Sequence, residues 1–194
     1  TRTDRPCVLR NGPSGQAAIV LDFGCELHGG LELLAWHCRS PAGNRGARIR
    51  VRFGESVSET MSELGGPRNA TNDHTVRDST CDIGFFSVHE VGFTGFRFVR
   101  IDLLDPDSVI EFKSIRAVFV YRDLAYQGSF RSPDERLNRI WLTGAYTVHL
   151  NMQQLLWDGI KRDKLVWVGD MHPEAATIQA VFGAHPIVPR SLDF

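Results

Sequence analysis

Between Asp158 and Glu174 the chain reads DGIKRDKLVWVGDMHPE. Seventeen residues hold three Asp, one Glu, a His, two Lys, an Arg and a Trp. Asp158, Asp163 and Asp170 lie five and seven residues apart. In a loop that folds back on itself, two such carboxyls can approach each other. Glycoside hydrolysis needs a pair of this kind: one protonates the leaving oxygen, the other activates water or attacks carbon. The acid member needs a raised pKa, which burial or a neighbouring carboxylate supplies. Trp157 and Trp167 offer burial and a stacking face for a sugar ring. Arg162 and Lys164 can orient carboxylates or bind hydroxyls. The same residues also admit a plainer account. Asp-Gly is a turn pair, so Asp158 can serve only to shape a turn. Asp170 precedes a helical pattern, and Lys161 to Lys164 can be a solvated charge cluster.

The elements that must position this stretch have two grammars. Residues 1–124 read as strands. Ala18–Phe23, Leu31–Trp36, Arg48–Phe53, Phe96–Leu103, Val109–Phe112 and Ile115–Tyr121 are apolar or alternating. Turn material separates them: Gly29-Gly30, Pro41 to Gly46, Gly65-Gly66-Pro67 and Asp105 to Ser108. Many short strands divided by Gly and Pro predict a β-sandwich or barrel. Arg48, Arg50 and Arg52 alternate with Ile49, Val51 and Phe53, which assigns them, with Arg45 nearby, to the wet face of a strand. Residues 125–194 change period. Ser132-Pro133-Asp134-Glu135 carries a cap, a first-turn proline and a capping-box acid. Leu137, Ile140, Trp141, Gly144, Ala145, Val148 and Met152 then recur at helical spacing, predicting a helix to about Leu155. Ala175, Ile178, Val181 and Phe182 predict a second, starting near Pro173.

Composition narrows the function. The net charge is −1, with 22 Lys and Arg against 23 Asp and Glu. No basic excess exists to neutralise phosphates, so nucleic acid is not expected as a partner. No apolar run reaches the ~18 residues of a membrane span. Cys7, Cys25, Cys38 and Cys81 show no CxxC spacing, so neither a metal site nor another cofactor is expected. No GxGxxG, GxxxxGK(S/T) or GxSxG motif occurs. The chain starts at Thr1 without a signal-like segment, so either its natural start lies earlier or the mature protein starts here.

The loop resembles the signature of the α-L-rhamnosidases of glycoside hydrolase family 78, Asp-x-x-x-Arg-(Glu or Asp)-x-x-x-Trp-x-Gly-Asp. Here its positions are Asp158, Arg162, Asp163, Trp167, Gly169 and Asp170. DFGCELHGGLEL from Asp22, VRFGESVSE from Val51 and GFTGFRFVRI from Gly92 resemble the sandwich module of that family. GSFRSPDERLNRIWLTGAYTVHLNMQ, from Gly128 to Gln153, resembles its linker and first barrel helix. The resemblance implies a mainly β chain: a jelly-roll-like antiparallel β-sandwich over residues 1–124. A long helix and a second helix over 125–194 then open an (α/α)6 barrel that the chain does not complete. It implies an inverting hydrolase acting on rhamnose-containing oligosaccharides or glycosides, with Asp163 as catalytic acid. Asp158, Arg162, Trp167 and Asp170 would bind substrate. The family favours Glu at the acid position, so Asp163 is a departure. The family's general base is a Glu from a later barrel segment, so the isolated chain is expected to be inactive. It is also expected to self-associate or to bind the rest of the barrel through bare helix faces. An exported location, periplasmic or extracellular, is implied by resemblance alone. Two other functions stand beside this one: a sandwich that binds carbohydrate, with Trp36 or His37 at an edge, or is purely structural; and an exo-glycosidase on the same scaffold with another terminal sugar.

Overall fold

The computed structural model describes residues 5–13, 15–41, 46–65 and 76–194. The chain divides into two compact units, Thr1–Phe119 and Val120–Phe194. Arg45 and the predicted turn residues Gly66 and Pro67 lie outside the described residues.

The first unit is built from β1 (Cys7–Arg10), β2 (Ala18–Arg39), β3 (Gly46–Gly54), a short α1 (Val57–Met61), β4 (Asp78–Gly84), β5 (Ser87–Leu103) and β6 (Val109–Phe119). The strands pair antiparallel in the order β1-β6-β2-β5-β3-β4. The two longest strands serve different partners along their lengths. The start of β2, Ala18–Asp22, pairs with the end of β5, which in turn pairs with β3. The end of β2, Gly29–Arg39, pairs with β6. The register shifts between Asp22 and Leu27 and again between Gly29 and Leu31. Bulges of this kind bend a strand and increase its twist. The bend folds the sheet over one core. Although β2 and β4 are not ladder neighbours, the Cys38 thiol donates to the Ile83 carbonyl at 3.4 Å. Leu31, Leu33, Ile49, Val51, Phe53, Phe96 and Ile101 lie fully buried between the layers. Gly92 permits one close approach. It adopts φ 82°, and a Cβ there would sit 2.4 Å from the Phe53 ring.

Several strand boundaries differ from the sequence reading. Ala18–Phe23 and Leu31–Trp36 are one strand, and Gly29-Gly30, expected as a turn, is part of its bulge. Val109–Phe112 and Ile115–Tyr121 also merge, into β6. The arginine face is not uniformly wet. Arg48 is exposed and pairs with Asp82, but the Arg52 side chain is only 3% exposed. Arg52 meets Asp102 at 3.0 Å and Glu63 at 2.9 Å. Arg100 also binds Asp102, at 2.6 Å. Nearby, α1 packs on the end of β3: a Cβ on Gly54 would lie 2.3 Å from the Thr60 hydroxyl.

The second unit holds α2 (Glu135–Asn151), α3 (Val168–Phe182) and α4 (Ile187–Leu192). Ala145, Val148, Met152, Leu156, Met171, Ile178, Val181, Phe182 and Ile187 form its core. The upstream half of the apolar stripe is open, with Leu137 44% and Ile140 60% exposed. The helix cap is Asp134, whose carboxylate accepts from Arg136 N–H at 2.8 Å, not Ser132. Ser132 instead brackets the start: its N–H and carbonyl both bond Asn138. The helix stops at Asn151, four residues before the expected end, because the Asn151 carbonyl is taken by Gln153 and Trp157 N–H groups. Residues ahead of α2 run extended along this unit. Arg122 donates to the Gln153 carbonyl at 3.0 Å, and Gln127 and Gly128 N–H groups both reach the Val181 carbonyl. Among the described residues no helix is long and apolar enough to cross a membrane.

The architecture is thus an antiparallel β-sandwich followed by two long helices of the kind that open an α/α barrel.

Candidate active site

The loop that joins α2 to α3 carries the candidate residues. It leaves α2 at Asn151, and two bonds close it on itself. Asp158 N–H donates to the Leu165 carbonyl at 2.9 Å, and Leu165 N–H donates to Asp158 Oδ1 at 2.9 Å. Asp158 therefore shapes a turn, as the plainer account required, and keeps its second carboxylate oxygen for other work. Ser191 on α4 pins the loop's base by accepting from Leu156 N–H at 2.8 Å.

At the far end of the loop Asp163 and Lys164 both take left-handed backbone, with φ 61° and 56°. Such residues cost of order 1 kcal/mol each and persist where the surroundings over-determine them. The Asp163 side chain is 19% exposed, and its Oδ2 lies 3.6 Å from Arg162 Nε. Arg162 itself is 59% exposed. Lys164 carries its ammonium 5.9 Å from the Trp157 ring centre, and burial pushes its pKa down.

The second helix starts earlier than Pro173, at Val168. Trp167 is the residue before its first turn, half-exposed, and its carbonyl accepts from Asp170 and Met171 N–H groups. Asp170 is exposed in that first turn, where a carboxylate faces the positive end of the helix. Pro173 falls inside the helix but only in its second turn.

Glu174 is the functional candidate that sequence reasoning passed over. It is 7% exposed and accepts a bond of 3.3 Å from Asn151 Nδ2. Burial lifts its carboxyl to about 7, opposed in part by the Asn151 amide, with smaller upward contributions from the charges of Asp170 and Asp158. The signal was present: Glu174 stands four residues before Ile178 and eight before Phe182, on the buried stripe of α3. The charges of Asp158 and Asp170 are thus felt at Glu174, while Asp163 lies beside Arg162. The polar chemistry suits hydroxyl binding and proton transfer. Among the described residues, no group of three or more His, Cys, Asp and Glu side chains is set to hold a metal ion.

Residues 125–193, well under half of the chain, match the model of the bacterial alpha-L-rhamnosidase six-hairpin glycosidase domain. Two solved structures are similar over nearly the whole chain. One is a rhamnosidase from Klebsiella oxytoca with rhamnose bound, at 21% identity and a TM-score of 0.82, covering 96% of this chain and 36% of that one. The other is the GH78 family rhamnosidase of Bacillus sp. GL1, at 25% identity and a TM-score of 0.76, covering 97% of this chain and 19% of that one. Among curated proteins none matches the chain. The chain has a rhamnosidase-like fold. It spans about a third of the length of the first of these structures and about a fifth of the second.

Proposed function

We propose that these residues are the sandwich and leading helical segment of an inverting glycoside hydrolase that removes terminal α-L-rhamnose. The observation that carries this reading is the closed loop from Asp158 to Leu165. It keeps Asp163 and Lys164, next to Arg162, in a costly backbone conformation within the segment that matches a glycosidase domain. A surface loop with no task gains nothing from two adjacent left-handed residues.

In this reading Asp163 protonates the leaving glycosidic oxygen, and Arg162 orients its carboxylate. The free oxygen of Asp158 and the exposed carboxylate of Asp170 accept hydrogen bonds from sugar hydroxyls, and the half-exposed Trp167 ring stacks on the pyranose. Water attacks the anomeric carbon from the opposite face, held by a carboxylate that the family resemblance places in a later barrel segment. The 194 residues alone therefore give no turnover.

The test is hydrolysis of rhamnosides by the whole protein. Asp163→Asn should slow cleavage of substrates with poor leaving groups by ~10²–10⁴-fold and of p-nitrophenyl α-L-rhamnoside much less. Equal, mild losses on both would remove the acid role from Asp163. No release of rhamnose by folded wild-type protein would move the reading to another terminal sugar.

A second reading concerns the sandwich alone. Trp36 and Phe86 are 44% and 58% exposed and meet edge to face at 4.6 Å, with Phe85 4.3 Å from Phe86. Exposed rings of this kind can stack on pyranoses. Saturable binding of rhamnose-containing glycans, abolished by Trp36→Ala, would support a binding module, and no binding would leave this corner structural.

A further inference from the structure

Glu174 is tied to the candidate loop by a continuous set of bonds. Its Oε1 accepts from the side-chain amide of Asn151, the last residue of α2 and itself 7% exposed. The backbone carbonyl of Asn151 accepts from Trp157 N–H at 3.0 Å. Trp157 leads directly into Asp158, which closes the loop on Leu165. A carboxyl on α3 and the loop that presents Arg162 and Asp163 therefore share one anchor.

The groups acting on Glu174 come from three elements. Asp158 faces it from the loop, Asp170 from the preceding turn of its own helix, and the neutral Asn151 amide from α2. The Asn151 amide favours the anion. Burial opposes it more strongly, and the charges of the two acids add smaller contributions in the same sense.

We propose that Glu174 is a positioning residue of the candidate site: buried on α3 and seated on Asn151, it holds the end of α2 to which the loop is bonded, and a change in its charge is transmitted to the loop through that anchor. Only the meaning of that arrangement for sugar binding rests on the function proposed above.

The experiment uses the 194-residue chain. Trp157 and Trp167 bracket the loop, so intrinsic fluorescence is followed from pH 5 to 9. Wild type should show a transition with a midpoint near pH 7. Glu174→Gln, which mimics the neutral acid, should hold the low-pH signal throughout. Glu174→Ala should lose the Asn151 anchor and show a displaced signal at every pH. Carboxyl-carbon NMR of the wild type gives the same answer without a variant, as one Glu resonance titrating near 7, more than two units above its ordinary value. A transition at the same midpoint in Glu174→Gln would assign it to a histidine and overturn the proposal, as would a Glu174 carboxyl that titrates normally. Adding L-rhamnose to wild type separates the two ideas. An upward shift of the midpoint supports both, whereas an unmoved midpoint that still depends on Glu174 keeps the positioning role and counts against the sugar.

Discussion

Two glycines of the helical unit should respond to alanine with opposite signs. Gly128 lies in the extended segment that runs along α3. A Cβ there would fall 1.8 Å from the Ala180 carbonyl oxygen and 2.9 Å from its carbon. Carbon and oxygen in contact stand ~3.3 Å apart, so the segment must retreat by roughly 1.5 Å. That retreat breaks the bonds from Gln127 and Gly128 N–H to the Val181 carbonyl, now 2.8 and 3.0 Å long. Each is worth ~1 kcal/mol net, and the Val181 carbonyl left unsatisfied adds ~1–2 kcal/mol. Gly128→Ala should therefore destabilise the unit by about 3 kcal/mol. Gly144, inside α2, is the counterpart. Nothing stands within 4 Å of its Cβ position, so alanine there costs no space. It should gain ~0.5–1 kcal/mol from helix propensity alone. Urea unfolding followed by helical ellipticity at 222 nm measures both. An unchanged midpoint for Gly128→Ala, or losses of similar size for both variants, would refute the packing argument.

Other consequences are open to direct measurement. Asp102→Ala should cost about 3–5 kcal/mol because it removes the buried carboxylate shared by Arg52 and Arg100 and leaves the buried Arg52 only the exposed Glu63. Glu63→Gln, removing the exposed partner of the same guanidinium, should cost ~1 kcal/mol or less, and equal losses in denaturant titrations would contradict the difference in burial. The carboxyl of Glu174 is raised from 4.5 to about 7, so its stabilising balance is complete below pH 4.5 and is lost as pH rises to 7. Linkage sets ~3 kcal/mol as the ceiling for that loss, and solvent near the loop mouth reduces it to ~1–2 kcal/mol. The slope of melting temperature against pH in this window should flatten in Glu174→Gln. At Lys164, held at φ 56°, valine should destabilise by ~1–2 kcal/mol while glycine stays within ~0.5 kcal/mol of wild type, since relief of strain is offset by unfolded-chain entropy.

Much of the architecture was readable because period is a local property. The change at Ser132-Pro133-Asp134-Glu135 announced α2, although the cap itself is Asp134. What sequence concealed was non-local. Gly29-Gly30 reads as a break in one dimension, yet β5 and β6 run past it on either side and turn it into a bend. Arg48, Arg50 and Arg52 share a face by alternation, but the burial of Arg52 depends on Asp102 and Glu63, partners 50 and 11 residues away that alternation within β3 does not reveal. In the site, Asp158, Arg162, Asp163, Trp167 and Asp170 were named from the resemblance of the loop to a family signature. Their geometry was not accessible that way, because the left-handed pair and the closure by Leu165 depend on backbone that no side-chain pattern encodes. Glu174 was hidden for another reason. A charged residue was read by its type, while its register on α3 placed it inside.

The backbone at residue 163 also bears on which acid can stand there. At φ 61° a short side chain that bonds locally is tolerated far better than a longer one, and aspartate is several-fold favoured among non-glycine residues. The choice of Asp over Glu is then a matter of main-chain tolerance before it is one of reach. A substitution that lengthens this acid would have to re-form the loop as well as refill the space, so Asp163 and the turn beneath it are expected to vary as one unit among related sequences.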